Sequence, residues 1–184
     1  MKRLALTFAF ATLIPAAQAV EYTQVQADKS AVNFVYKQMG VAVDGKFKKF
    51  SSQLNFDPAK PTAAKASFDV ELASVDTGAD EGDQEVAGKV WFNTKAFPTA
   101  KFVSGSVKAL GGNKYEVAGL LSIKGKTQDV VVPATFTQHG NTGVFDGSFV
   151  IRRADFSIGE GSWAKFDIVA NDVQVKFHIT ASTK

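Results

Sequence analysis

The segment YEVAGLLSIKGKTQDVVVPATF, Tyr115–Phe136, alternates twice around a central Lys124-Gly-Lys-Thr127. On its first arm Tyr115, Val117, Gly119, Leu121 and Ile123 fall on one face, and on its second Val130, Val132, Ala134 and Phe136 do the same. Period-two alternation of this length marks strands with one buried face. Lys124–Thr127 predicts a hairpin turn, with Gly125 able to take the positive φ such a turn needs. Arms of about ten residues span about 33 Å, and a two-stranded ribbon cannot bury its apolar face alone. The hairpin therefore predicts a larger sheet or barrel around it.

The flanking chain supplies the other strands. Glu21–Ala27 predicts a short edge strand, and Ser30–Gln38 a strand with Val32, Phe34 and Tyr36 in phase. Gly40–Gly45 reads as a bend, and Lys46–Phe56 as a strand carrying Phe50, Leu54 and Phe56, broken by Asp57-Pro58 and Lys60-Pro61. Ala64–Leu72 alternates without a fault. The period then changes: Thr77 as N-cap, acids at 80, 81, 83 and 85, and Val86, Val90 and Trp91 on one face predict a short helix near Ala79–Trp91. Strands follow at Ala100–Ala109, along the long hairpin, at Gly143–Arg153 and at Ile168–Thr180, with Val173, Val175, Phe177 and Ile179 in phase on the last. About eight antiparallel strands and one short helix predict an all-β domain, a closed up-and-down barrel or a sandwich. The charged outer faces do not suit a lipid-facing barrel, which shows apolar residues outward.

The first nineteen residues have the pattern of a secretory signal peptide. Lys2 and Arg3 precede an apolar run from Leu4 to Ile14, and Ala17-Gln-Ala19 is a small-x-small cleavage site. Removal leaves one domain, residues 20–184, and lowers the formal charge from +3 to +1 because two cations and no acids are lost. Lysines and acids are interleaved, so no basic stripe for nucleic acid appears. With no cysteine there is neither disulfide nor thiol chemistry.

Chemistry-bearing residues are few. Gly125-Lys-Thr127 lacks the glycine a phosphate loop needs five places earlier, where Leu120 stands, and a strand follows where that motif requires a helix. His139 lies in a Gly-Asn turn and His178 on a polar strand face, neither with a second ligand at metal spacing. No Gly-x-Ser-x-Gly elbow occurs. Nothing in the residues argues for an enzyme, a metal or a cofactor. Arg152 and Arg153, the sole arginines after residue 19, close a strand beside Asp155. An ion pair with that acid or another loop acid is one reading, a grip on an anionic or polar head group the other.

Apolar capacity is the remaining feature. Of sixteen phenylalanines, all but Phe8 and Phe10 follow the signal segment, many on inward phases. They fill a core, or they wall a space for one elongated ligand, since eight strands enclose room for either. Inward Ala64, Ala66, Gly119 and Gly147 would leave such room.

Several strings resemble the YceI-like family: Gly119–Pro133, Trp91-Phe-Asn with Phe97–Phe102, and Phe149–Gly159 with Trp163, alongside Phe56-Asp-Pro and Ser74–Gly78. The resemblance implies a lipocalin-like antiparallel barrel holding a long polyisoprenoid, a quinone or polyprenyl tail, in a tunnel. It further implies a periplasmic, non-catalytic carrier in transient contact with a membrane or membrane protein. The alternative is a stress-related structural or protein-interaction module with a solid barrel. On strand phase the candidate wall is Phe34, Tyr36, Phe68, Val70, Leu121 and Ile123, with Trp91, Phe92 and Phe102 flanking the helix-to-strand junction and Phe149 and Trp163 on the opposite wall or mouth.

Overall fold

The computed structural model describes residues 20–183, so the predicted signal peptide lies outside it. Its first strands are β1 (Tyr22–Val25), β2 (Ala31–Gln38), β3 (Val41–Phe47), β4 (Phe50–Asn55), β5 (Lys65–Glu71) and β6 (Val75–Asp76). After the helix α1 (Asp80–Ala87) come β7 (Thr99–Gly111), β8 (Lys114–Ile123), β9 (Lys126–His139), β10 (Thr142–Arg152) and β11 (Asp172–Thr183). The sheet order is β4-β5-β7-β8-β9-β10-β11-β2-β3, with short β6 beyond β3 and β1 on β11. Its two ends meet because β3 and β4 are halves of one path bent at Lys48-Lys49. The first half pairs with β2 and the second with β5. Taken as one stave, that path leaves eight long strands in an up-and-down barrel.

Buried Ser74 holds the bend: its carbonyl accepts from Lys48 N at 3.0 Å and its Oγ from Lys49 N at 3.0 Å. Lower on the same seam, Tyr22 and Phe56 exchange backbone hydrogen bonds of 2.9 and 3.2 Å. The Gly40–Gly45 stretch, expected as a bend, is largely strand β3. Its inward phase is Val43, Gly45 and Phe47, and a side chain at 45 would collide with the Phe34 ring lying over it. A strand whose inner face includes a bare backbone hides its own alternation.

The central hairpin has the predicted form. Ile123 pairs with Lys126, and both intervening residues have positive φ, +49° at Lys124 and +72° at Gly125, as a type I′ turn requires. A Cβ at position 125 would lie 2.9 Å from the Phe97 ring. Gly125→Ala is expected to cost about 1–2 kcal/mol from its left-handed backbone and that contact. An unchanged urea midpoint would contradict it.

Two element boundaries differ from expectation. The helix starts after an Ala79 cap rather than at Thr77, because Asp83 Oδ1 accepts from both Thr77 N (2.7 Å) and Thr77 Oγ1 (2.8 Å). It also ends at Ala87, leaving Trp91 and Phe92 in the turns that follow. The last strand begins at Asp172 instead of Ile168, since the preceding residues are committed to Arg153, as described below.

One end of the barrel is plugged by rings. Phe56 lies 4.9 Å from Phe136, 5.0 Å from Phe145 and 5.3 Å from Tyr115, and Tyr22 lies 5.1 Å from Phe136. At the other end Leu72, Trp91, Phe156 and Ile158 form a second cluster, against which Val86 of α1 packs.

Candidate functional site, an apolar lumen of two chambers

Between the plug and α1 the barrel is hollow. An inner chamber of about 180 Å³ and an outer one of about 240 Å³ share Val32, Val70, Ala100, Leu121, Phe149 and Val175, which form the waist between them. The inner chamber presents no polar atom to its space. Inward residues that a packed core would bury fully (Phe34, Phe68, Val70, Phe102, Phe149, Phe177) are only partly buried. The exposed Gln38 and Glu85 stand on the outer chamber's wall, so that chamber reaches the surface beside them.

All eleven residues nominated from the sequence line this space. Phe68 and Phe102 face the inner chamber, and Val70, Leu121 and Phe149 the waist. Phe34, Tyr36, Trp91, Phe92, Ile123 and Trp163 face the outer one. Phe102 thus stands deeper than the junction position expected for it, because its partner in β5 is Phe68. Phe47 and Ala134 also line the lumen without having been nominated. Ala134 shares a phase with Val132 and Phe136, whereas Phe47 is out of phase with Phe50, Leu54 and Phe56, and only the bend at Lys48-Lys49 lets both sets face inward.

The room is not where the inward glycines suggested. Gly119 lies under the Phe102 ring and against the Val103 carbonyl, and Gly147 under the Phe177 ring and against the Pro133 carbonyl. Each glycine admits a neighbouring ring and leaves no void. The space lies instead over Ala64, Ala66, Ala100 and Ala134.

Neither reading of the arginine pair holds for both members. Arg152 makes the expected pair with Asp155, through Nε and Nη2 at 3.0 Å each. Arg153 is 2% exposed and has no acidic partner among the described residues. Its five N–H groups meet six carbonyls, those of Ile158, Gly159, Trp163, Lys165, Val169 and Ala170, at 2.7–3.2 Å. The guanidinium also lies 5.4 Å from the Trp91 ring centroid and 5.0 Å from that of Phe166. Burial lowers its pKa, with no carboxylate to raise it. Arg153 is therefore the hub around which residues 158–170 fold, and it has no donor left for a ligand.

Two further polar devices fix this end. Lys124, buried at the hairpin tip, donates to the Ser157 carbonyl (2.6 Å) and to Glu160 Oε2 (2.8 Å), and holds the Glu160 carboxyl below its ordinary pKa. Glu85 Oε1 accepts from the indoles of Trp91 (3.2 Å) and Trp163 (2.8 Å), tying α1 to the opposite loop across the outer chamber.

Comparison with known proteins places this architecture. The sequence profile described as a YceI-like domain matches residues 23–181. The chain belongs to the YceI-like family. A UPF0312 protein of Pseudomonas syringae pv. tomato is 31% identical over 189 residues, covering 95% of this chain and 98% of the relative. Among solved structures, Burkholderia cenocepacia BcnA is 47% identical with a TM-score of 0.85, over 86% of this YceI-like chain and 100% of BcnA. A polyisoprenoid binding domain from Saccharophagus degradans shares the fold at 16% identity and a TM-score of 0.67, over 91% of this chain and 100% of that domain.

Proposed function

We propose that this YceI-like protein is a non-catalytic carrier that holds a long isoprenoid lipid, of quinone or polyprenyl type, in its lumen. The observation that carries the reading is the hollow interior, two chambers that share a wall between the aromatic plug and the surface at Glu85, the inner one lined by carbon alone. Each CH₂ of a tail costs roughly 0.8 kcal/mol in water. A dry tunnel removes that cost. Branched methyls suit a wall of rings and aliphatic side chains better than fixed polar contacts, and any redox chemistry would be the lipid's own. The fold shared with the S. degradans polyisoprenoid binding domain is consistent with this.

The signal-like pattern of residues 1–19 supports a periplasmic address, where a lipid crossing between membranes needs such shelter. Pick-up from a bilayer is supported by the β2–β3 tip. Met39 there is 77% exposed and Val41 66%, and Met39 N donates to the Ile168 carbonyl of a segment that exposes Phe166 and Ile168. Native mass spectrometry of protein purified from the periplasm of its own cells is expected to show a co-purifying long-chain lipid. Ligand-free protein that also ignores added quinones and prenols would return the barrel to a structural or protein-interaction role.

A further inference from the structure

The outer chamber holds a second kind of information, and its meaning rests on the lumen taking a lipid tail. A tail in the carbon-walled inner chamber leaves its head group in the outer one, among Tyr36, Gln38, Thr77, Glu85 and Arg153. Most polar hydrogens there are already committed. Thr77 Oγ1 bonds to Asp83, every Arg153 N–H meets a carbonyl, and both indoles bond to Glu85 Oε1. The other oxygen of that carboxylate, Oε2, has no protein donor among the described residues.

The surrounding charge is acidic. Asp83 sits close enough to Tyr36 to add to burial in raising its phenol pKa, and Asp80 and Glu81 stand in the first turn of α1. No lysine offsets this on the chamber wall. Lys37 lies on the outer phase of β2, and Lys124 is engaged with Ser157 and Glu160. Lys65, beside the inner chamber, presents only carbon to it. An anionic head group here would meet the Glu85 and Asp83 carboxylates, set against the single charge of Arg153, whose N–H groups are all spent on carbonyls and offer it no hydrogen bond. A hydroxyl or ammonium would find an open acceptor.

We infer that the outer chamber is a head-group subsite, with Glu85 Oε2 as its acceptor, that selects neutral or cationic head groups (prenyl alcohols, phenols, hydroquinones and amines above all) over lipid phosphates and carboxylates.

The test uses one tail and three heads: geranylgeraniol, geranylgeranylamine and geranylgeranyl phosphate, each below its micelle-forming concentration. Binding is read from the fluorescence of Trp91 and Trp163, which stand on the chamber wall. The alcohol and the amine are expected to bind at least tenfold more tightly than the phosphate near neutral pH. Glu85→Gln keeps an oxygen for the indoles but removes the charge, and should narrow that ratio several-fold. Glu85→Lys should invert the order of amine and phosphate. Phosphate binding as tight as the alcohol's overturns the subsite and leaves the carrier reading standing. Failure of all three ligands to bind overturns both. A Glu85→Gln change that weakens all three equally, or leaves their ratio unchanged, overturns the assignment of Glu85, because a merely structural role would not act on the ratio.

Discussion

Replacing Arg153 by Met is expected to remove about 3–5 kcal/mol of stability and to release the chain between Ser157 and Asn171. The side chain is 2% exposed, so its six carbonyl partners lose a charged donor that water reaches only if the segment opens. Hydrogen bonds to a charged group are worth about 1.5–3 kcal/mol each. Re-wetting of the freed carbonyls limits the sum to well below six times that. Stacking against Trp91 and Phe166 adds about 0.5–2 kcal/mol. Against a total of about 5–15 kcal/mol for a domain, the variant would sit near the edge of folding. Arg153→Lys should recover less than half of the loss, because an ammonium directs three donors from one point and cannot span carbonyls from Ile158 to Ala170. Urea unfolding gives the stability, and amide exchange over residues 158–170 locates the opening. A loss below about 1 kcal/mol would mean that the segment holds itself and that the arginine is incidental.

The hub illustrates what the sequence leaves hidden. Asp155 stands two residues from Arg153 and three from Arg152, so an ion pair was the natural reading for either. The backbone gives the acid to Arg152, whose side chain is on the outer phase of β10 and solvent-exposed. The inner-phase neighbour turns into the barrel end, where its partners are carbonyls, and carbonyls have no sequence signature. The closing seam was equally hidden. Nothing in Lys46–Phe56 distinguishes one straight strand from two halves bent at Lys48-Lys49, because the bend is held by Ser74, some 25 residues away. Strand phase, by contrast, needs only alternation, and alternation is local. Phe34 with Tyr36, Phe68 with Val70, and Leu121 with Ile123 all face the lumen because a pleated strand leaves them no other side. What phase could not supply was depth. An inward glycine reads as empty space until the ring from the next strand is placed over it, as the Phe102 ring is over Gly119.

That distinction gives the sharpest test of a hollow barrel. Ala66→Phe adds a ring where Ala66, Phe68 and Ala134 border the inner chamber of about 180 Å³. Into space, the ring is expected to change stability by less than about 1.5 kcal/mol, and to reduce binding of a long prenyl lipid at least tenfold by occupying the place of its tail. Gly119→Leu looks equivalent on strand phase and is not. Its Cβ would press on the Val103 carbonyl oxygen and the Phe102 ring, so overpacking should cost about 2–3 kcal/mol or more before any ligand is considered. The two variants should therefore separate in a denaturant titration, Ala66→Phe close to the parent and Gly119→Leu well below it. Only the former would fold normally and fail to load lipid. Should Ala66→Phe instead lose as much stability as Gly119→Leu, the space over Ala66 is already filled by side chains in solution, and a lipid tail has no room beside Phe68.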